Sequence, residues 1–550
     1  MKYRNILLAA LLLFFLPYRL QAQDAANIIP KPYQVKTLPG KPVKLNIKSR
    51  IFYDAMYKPQ AAYLQQQLQA QTGLRLPLLP VNGTAPKDGI YLEQDTVSVT
   101  KKEMYLLQAG QGAVTIKARS INGIVYGIQT LLQLLPLEQT SSLQVEPVQI
   151  VDFPQFAYRG MHLDVSRHIF PVAFIKKYID YLTFHKFNTF HWHLTDDQGW
   201  RIESKKYPKL NTIGSWRKAT LIGHFNDKPV RYDSTRYGGY YTQEQIKDII
   251  AYAAVRGITI IPELDIPGHS RAIIAAYPEL STRPDTTWQV ATTWGMYNRQ
   301  NNVLAPRPET FEFLKGVFAE VAGLFPSPYI HIGGDECSKM WWKASPQAQE
   351  FIQKHNLKDE KGLQTYFVEQ VSGYLAQQGK KVIGWHELLE GHLDSSTVVM
   401  DWAGDKEAVA AAMAHHYVIM TPSKPLYFDN YQTLDPNDSL AIHGYNPLDA
   451  VYAFTPVPQS LKGKPEAKYI LGAQANVWTE YMASPAKVEY MIFPRMTALS
   501  EALWSAPSQK DFADFKRRLA QNIIPRYKYW GSAYCHMYAD WTVTSKAPAK

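Results

Sequence analysis

Pro328-Tyr329-Ile330-His331-Ile332-Gly333-Gly334-Asp335-Glu336 reads as a buried β-strand that closes on two glycines and two acids. Adjacent carboxylates at the mouth of a strand carry a cost in desolvation and mutual repulsion. A fold keeps them where a site uses the charge, because perturbed carboxylates are what acid/base chemistry at neutral pH requires. The glycines let the backbone bend sharply and let a ligand come close. For the tetrapeptide alone, a solvated acidic turn is the alternative.

The segments on either side repeat the pattern. Strands are expected at 158–165, 189–194, 259–264, 329–332, 381–384, 397–400, 417–420 and 469–473. Helices are expected at 171–187, 242–256, 309–325, 362–378, 405–416 and 485–504. Eight strands with mostly helical crossovers predict an α/β fold, a (β/α)8 TIM barrel. A doubly wound open sheet is the alternative, since periodicity does not establish closure. The loop 207–240 and the seventh-to-eighth connection read as irregular. Taken in order, the strand ends carry Arg159 and Asp164, Asp196-Asp197, Asp265 with His269, and Asp335-Glu336. The later four carry Trp385 with Glu387, Asp401-Trp402, Tyr427 with Asp429, and Trp478 with Glu480. In a barrel such ends meet on one face, where these enzymes place their active sites.

Residues 23–153 read as a separate small α+β domain, with helices at 61–71 and 123–135, strands at 43–47, 89–92 and 113–117, and no catalytic constellation. The barrel is expected over 154–540, with a tail at 541–550. The first 22 residues join basic Lys2 and Arg4 to an apolar core and a small Ala22, the pattern of a signal peptide. That implies export to the periplasm or the extracellular space, with membrane anchoring by the same segment as the alternative. No later stretch is apolar enough to span a bilayer. The formal charge is +11, and its basic residues are scattered, which argues against a nucleic-acid partner. Cys337 and Cys535 are too few for a disulfide framework. They read as separate buried thiols, with a single bridge as the alternative. Tryptophan near strand ends suggests sugar recognition, because a pyranose face stacks on flat rings.

Five segments in order carry a family resemblance. They are Tyr158-Arg159-Gly160-Met161-His162-Leu163-Asp164-Val165-Ser166-Arg167-His168, then His191-Trp192-His193-Leu194-Thr195-Asp196-Asp197-Gln198-Gly199-Trp200-Arg201. Pro262-Glu263-Leu264-Asp265-Ile266-Pro267-Gly268-His269 and His331-Ile332-Gly333-Gly334-Asp335-Glu336 follow. Gly472-Ala473-Gln474-Ala475-Asn476-Val477-Trp478-Thr479-Glu480 completes the set. Over residues 25–540 the chain resembles glycoside hydrolase family 20, the exo-acting β-N-acetylhexosaminidases.

The resemblance implies retaining hydrolysis of terminal, non-reducing β-linked N-acetylhexosamine from glycans or chitin oligosaccharides. The acetamido oxygen attacks its own anomeric carbon to form an oxazolinium ion, an exception to the two-carboxylate scheme. By resemblance, Glu336 is the general acid and then the base, and Asp335 holds the acetamido N–H. Asp196 and His269 tune Glu336 through hydrogen bonds, a structural His–Asp pair being the alternative. Arg159 grips O3 and O4, while Glu480 and Asp429 accept from O4 and O6. Tyr427 donates to the acetamido oxygen, and Trp385, Trp402 and Trp478 wall the sugar pocket. No cofactor and no metal are implied, and the partner is a carbohydrate substrate.

Because neighbouring residues on a strand face opposite ways, Asp335 and Glu336 are expected to address different atoms of one sugar. Two other readings stand beside this one. A lacto-N-biosidase specificity would need room for a disaccharide beside the loop 207–240. A metal-dependent barrel hydrolase is suggested by His191 and His193, two apart on a strand, with His331 and His386 near other strand ends. The pair's position below the strand mouth favours packed histidines. N-acetylglucosamine and N-acetylgalactosamine are not distinguished, nor is the oligomeric state.

Overall fold

Residues 25–81 and 88–537 are described in the computed structural model; the expected signal peptide and the tail from 541 lie outside the described residues. The eight barrel strands are Tyr158–Asp164, Thr189–Asp196, Thr259–Leu264, Tyr329–His331, Lys381–Trp385, Val398–Asp401, Val418–Met420 and Ile470–Ala475. All neighbours run parallel. The first strand pairs with both the second (Gly160 opposite Thr189) and the last (Tyr158 opposite Gly472). That double pairing closes the barrel and rules out the open sheet.

Period-two alternation sorts the first strand into two faces. Tyr158 belongs to an apolar layer at the lower end of the barrel lumen, with Ile261, Ile383, Val398 and Ile419. Gly160, His162 and Asp164 share its parity and climb towards the C-terminal mouth. Arg159, Met161 and Leu163 face outwards.

The crossover helices include Val172–Phe184, Gln243–Val255, Pro308–Leu324, Glu360–Gln377 and Asp405–Met413. Gln243–Val255 begins on a reciprocal cap: the Gln245 N–H donates to Thr242 Oγ1 at 3.1 Å and the Thr242 N–H donates to Gln245 Oε1 at 3.0 Å. The helix expected at 485–504 is two, Pro485–Ile492 and Arg495–Trp504. Pro494 cannot donate to the helical ladder, and it holds Phe493 in the extended region (φ −100°, ψ 132°). The fifth strand is followed only by the short 3-10 turn His386–Glu390.

The small domain is a seven-stranded mixed sheet with the helices Lys58–Thr72 and Ile121–Leu134. It meets the barrel through buried ion pairs. Asp152 accepts from Lys186 Nζ at 2.9 Å, Tyr105 OH at 2.6 Å and Trp504 Nε1 at 2.8 Å. Arg159, expected in the sugar pocket, belongs to this interface instead. Its guanidinium meets Glu103 in a fork at 2.9 and 3.1 Å and donates to the Tyr126 hydroxyl at 2.8 Å. The reason is parity and position: Arg159 is the second residue of its strand, far from the C-terminal mouth, and its side chain leaves the lumen.

Replacing Arg159 by Met should strand the Glu103 carboxylate at a buried contact, a loss of about 3 kcal/mol for breaking one side of such a pair. The expected result is a lower urea-unfolding midpoint with an unchanged KM. A large rise in KM with no loss of stability would return Arg159 to the sugar site.

Candidate active site

The fourth strand stops at His331, so Asp335 and Glu336 lie beyond it, in a turn. Gly333 and Gly334 have φ of +69° and +99°, and Glu336 itself sits at +42°. A Cβ on Gly333 would fall 2.7 Å from Asp265 Cα, and the Gly334 N–H donates to Asp265 Oδ1 at 3.0 Å. The two acids therefore diverge because of a left-handed turn packed on Asp265, and not through the strand alternation expected from sequence. Glu336 projects to the opening, with its side chain 46% exposed, while Asp335 is 14% exposed and points inwards.

A cavity of ≈380 Å³ opens at this mouth. One end is lined by Arg167, Asp429 and Glu480; Trp402, Tyr427 and Trp478 form walls beside Asp335; Asp197 and His269 complete the polar side. Trp385 lies below the surface, 1% exposed, its ring centre 6.0 Å from that of Trp478. Asp196 is buried behind the wall. The loop expected to be irregular at 207–240 crosses the rim. Its His224 Nε2 lies 2.7 Å from the Ile442 carbonyl, the Phe225 N–H donates to Tyr481 OH at 3.1 Å, and Phe225 lines the cavity. Trp294 adds a further ring. Neither Phe225 nor Trp294 stands at a strand end, the signal by which the other residues were found.

Charge is arranged around Asp196. Its carboxylate meets His193 Nε2 at 3.0 Å, His269 Nδ1 at 3.0 Å and Arg167 Nη2 at 2.7 Å. Burial works against a charge on His269, but Asp196 and Asp335 outweigh it and lift the imidazole well above its usual range. His269 Nε2 then faces Glu336 Oε2 at 3.6 Å and Asp335 Oδ2 at 3.7 Å. Burial tends to raise Glu336, yet His269 and then Arg167 hold its carboxyl below the usual range. Asp335 is raised by burial. Asp265, against the same turn, is pushed well above the ordinary range by burial and by the Asp335 charge. Burial and the facing Glu480 raise Asp429, and burial raises Glu480. Asp429 Oδ1, Glu480 Oε2 and Asp335 Oδ1 are buried acceptors with no protein partner. Such atoms suit ligand hydroxyl and amide donors.

The structure thus brings together Glu336, Asp335, His269, Trp402, Tyr427, Asp429, Trp478 and Glu480, with Asp196 and Trp385 directly behind them. Only Arg159 is elsewhere. The arginine of the pocket is Arg167, which also pairs with Asp164 at 3.3 Å and lies over the Trp478 ring at 5.1 Å. It lies three residues past Asp164, the last residue of the first strand, so its nearness to the mouth is visible in the sequence. Glu387 lies two residues past the end of the fifth strand. It accepts from Trp402 Nε1 at 3.3 Å, and burial together with Asp335 pushes its carboxyl up to about 8. Cys337 and Cys535 are both free and buried. The histidines considered as metal ligands, His191, His193 and His331, converge on Glu263 at 2.5 to 3.1 Å. These are hydrogen-bond separations, shorter than the roughly 3.3 Å between ligand atoms on a tetrahedral ion with 2.0–2.1 Å bonds. Among the described residues, His386 is not part of that cluster.

Residues 156–507 match the sequence profile of the glycosyl hydrolase family 20 catalytic domain, and residues 25–153 match that family's domain 2. The chain belongs to glycosyl hydrolase family 20. A β-hexosaminidase of Porphyromonas gingivalis is 43% identical over 92% of this chain, which spans 64% of that protein's length. A β-hexosaminidase of Vibrio furnissii is 37% identical, over 88% of this chain and 78% of its own length. Among solved structures, a family 20 exo-β-N-acetylglucosaminidase from Vibrio harveyi in complex with N-acetylglucosamine superposes with a TM-score of 0.81 at 32% identity, covering 93% of this chain and 78% of that one. The family 20 architecture, a TIM barrel preceded by a small domain, is the one found here.

Two outcomes follow from this geometry. Arg167→Met removes a charged donor, worth about 1.5–3 kcal/mol per hydrogen bond, so kcat/KM should fall by roughly 10²-fold. A loss under about three-fold would show that Arg167 does not hold the sugar. Glu387 ionises in the unfolded chain near 4.5 but in the folded chain only at about 8. Between those values the folded state holds the extra proton, so this group takes away stability as pH rises. Glu387→Gln should therefore gain stability relative to the parent across that window when urea unfolding is followed at several pH values. A constant difference at all pH values would contradict the assignment.

Proposed function

We propose that this family 20 enzyme removes single terminal β-linked N-acetylhexosamine residues, with retention, using the sugar's own acetamido group as nucleophile. The observation that carries this is the position of the two acids. Asp335 and Glu336 both lie within 3.7 Å of one nitrogen, His269 Nε2, on one flank of the cavity. Displacement by an enzyme carboxylate needs the second acid on the far face of the sugar. Asp335 instead faces the Trp402–Tyr427–Trp478 walls, where it can accept the acetamido N–H and offset charge developing on the closing ring. An intramolecular attack of this kind also replaces a bimolecular encounter.

The remaining groups take matching roles. Arg167, Asp429 and Glu480 close one end of the cavity and bind the outer hydroxyls, which enforces the exo mode. The Tyr427 hydroxyl donates to the acetamido oxygen and aligns it. Glu336, at the open side, delivers a proton to the departing oxygen and then takes one from water. A bound sugar covers Glu336, adding to the burial that already works to raise its carboxyl. The β-hexosaminidase names of the relatives and the N-acetylglucosamine held by the Vibrio harveyi enzyme support the same substrate class. The basic and apolar first 22 residues support export, with the reaction in the periplasm or outside the cell.

Aryl β-glycosides provide the test. The 2-acetamido sugar should be cleaved to a product of retained configuration, and the otherwise identical 2-hydroxy glucoside should be essentially inert. Glu336→Gln should hurt poor leaving groups far more than activated ones, whereas Asp335→Asn should hurt both alike. An inverted product, or a sugar ester trapped on any carboxylate, would defeat the mechanism. Preferential release of a disaccharide from a lacto-N-bioside would shift the specificity to the alternative reading.

A further inference from the structure

Beneath the active site, in the barrel lumen, a carboxylate with no role in the reaction described above meets three imidazole rings and an indole N–H. Glu263 shares the inward parity of Ile261 and Asp265 on the third strand and is completely buried. It lies 2.5 Å from His193 Nδ1, 3.1 Å from His191 Nε2 and 3.0 Å from His331 Nδ1, and it accepts from Trp385 Nε1 at 3.0 Å. Among the described residues, no lysine or arginine pairs with it. A buried carboxylate persists only when a charge or several donors compensate it.

His193 supplies that charge. Burial pushes the ring down, but Glu263 and Asp196 outweigh it and lift His193 to about 10. Other groups facing the ring are Asp164 and His162 on the first strand and His191 on its own. Burial depresses His191 to about 4 and holds His162 well below its usual range, so neither competes for the proton. His193 therefore donates from both nitrogens, Nδ1–H to Glu263 and Nε2–H to Asp196 Oδ2 at 3.0 Å. Asp196 Oδ1 in turn holds His269 Nδ1 at 3.0 Å, and His269 Nε2 faces Glu336 and Asp335.

We propose that Glu263 is a positioning residue for the catalytic acid, acting through His193, Asp196 and His269 in line, and for the pocket floor through the indole N–H of Trp385. The relay spans the second and third strands and fixes His269 from behind. Glu263 touches no substrate. Its contribution is to keep a positive donor under Asp196, so that Asp196 stays an acceptor and His269 keeps its second N–H aimed at the acids. This rests on Glu336 being the general acid.

Glu263→Gln tests it with little change of shape. The amide can still accept from Trp385 Nε1, while its NH2 donates to His193 Nδ1, which must then be neutral. Hydrogen bonds survive and the charge on His193 is lost. The Glu263 anion goes with that cation, but His193 is the nearer of the two to Asp196, so the potential near His269 and Glu336 still becomes more negative and the Glu336 carboxyl rises. The basic limb of kcat/KM should move up by about half a pH unit or more. For a poor leaving group kcat should fall about ten-fold or more, less for an activated aryl group, with KM within about two-fold. Glu263→Asp, which retains the charge, should recover part of the loss. Glu336→Gln is the reference: if it shows no leaving-group dependence, the reading of the site has failed, whatever Glu263 does.

Should the variant not fold, the parent enzyme still decides. With 15N-labelled histidine, His193 should show both ring nitrogens protonated at pH 8. A neutral His193 there overturns the proposal. So does a folded Glu263→Gln enzyme with unchanged pH profile and leaving-group dependence, because a purely structural role would move only the unfolding midpoint.

Discussion

Asp196 accepts from Arg167, His193, His269 and the Asp197 backbone N–H, and the rest of the catalytic mouth depends on that fully buried meeting point. Acids crowd this end of the barrel, and in a medium of low polarity each repels the others. Three cationic side chains brought to one carboxylate counter that repulsion without filling the cavity themselves. Arg167 and His269 reach the cavity wall from Asp196, and His193 stays behind it. The acids that line the cavity, Asp335, Asp429 and Glu480, are each left with a buried acceptor atom that has no partner among the described residues. Disturbing Asp196 would thus change the charge around Glu336, the orientation of Arg167 and the packing beneath Trp478 together.

The lumen is built in levels that serve this arrangement. Tyr158, Ile261, Ile383, Val398 and Ile419 form an apolar layer at the lower end, where they line a second cavity of ≈620 Å³. Above them lie the histidines and Glu263, fully buried, with three of the rings within 3.1 Å of the carboxylate. The acids and tryptophans that line the cavity come last, at the strand ends and on the turns beyond them. Rigidity below and freedom of sequence above is what lets barrel mouths carry different chemistries. Among the described residues, the small N-terminal domain contributes none to the cavity lining, and its buried ion pairs with the barrel explain why an arginine on the first strand is spent outside the lumen.

Much of this was legible in one dimension. All eight strands, the closing acids and the Gly333-Gly334-Asp335-Glu336 turn follow from apolar runs, period-two alternation and the cost of desolvating adjacent carboxylates. Alternation alone also places Arg159 on the face opposite Tyr158 and His162, so that error was avoidable. What the chain could not disclose is which partner an inward or outward side chain finds. Glu103 and Arg159 are 56 residues apart, Glu263 and His193 are 70 apart, and His269 meets acids that lie on the next strand's turn. Residue types and spacing determined where charge had to be compensated. Closure of the barrel decided by whom, because only there do strands distant in sequence bring an arginine, three imidazoles and their carboxylates within hydrogen-bond reach.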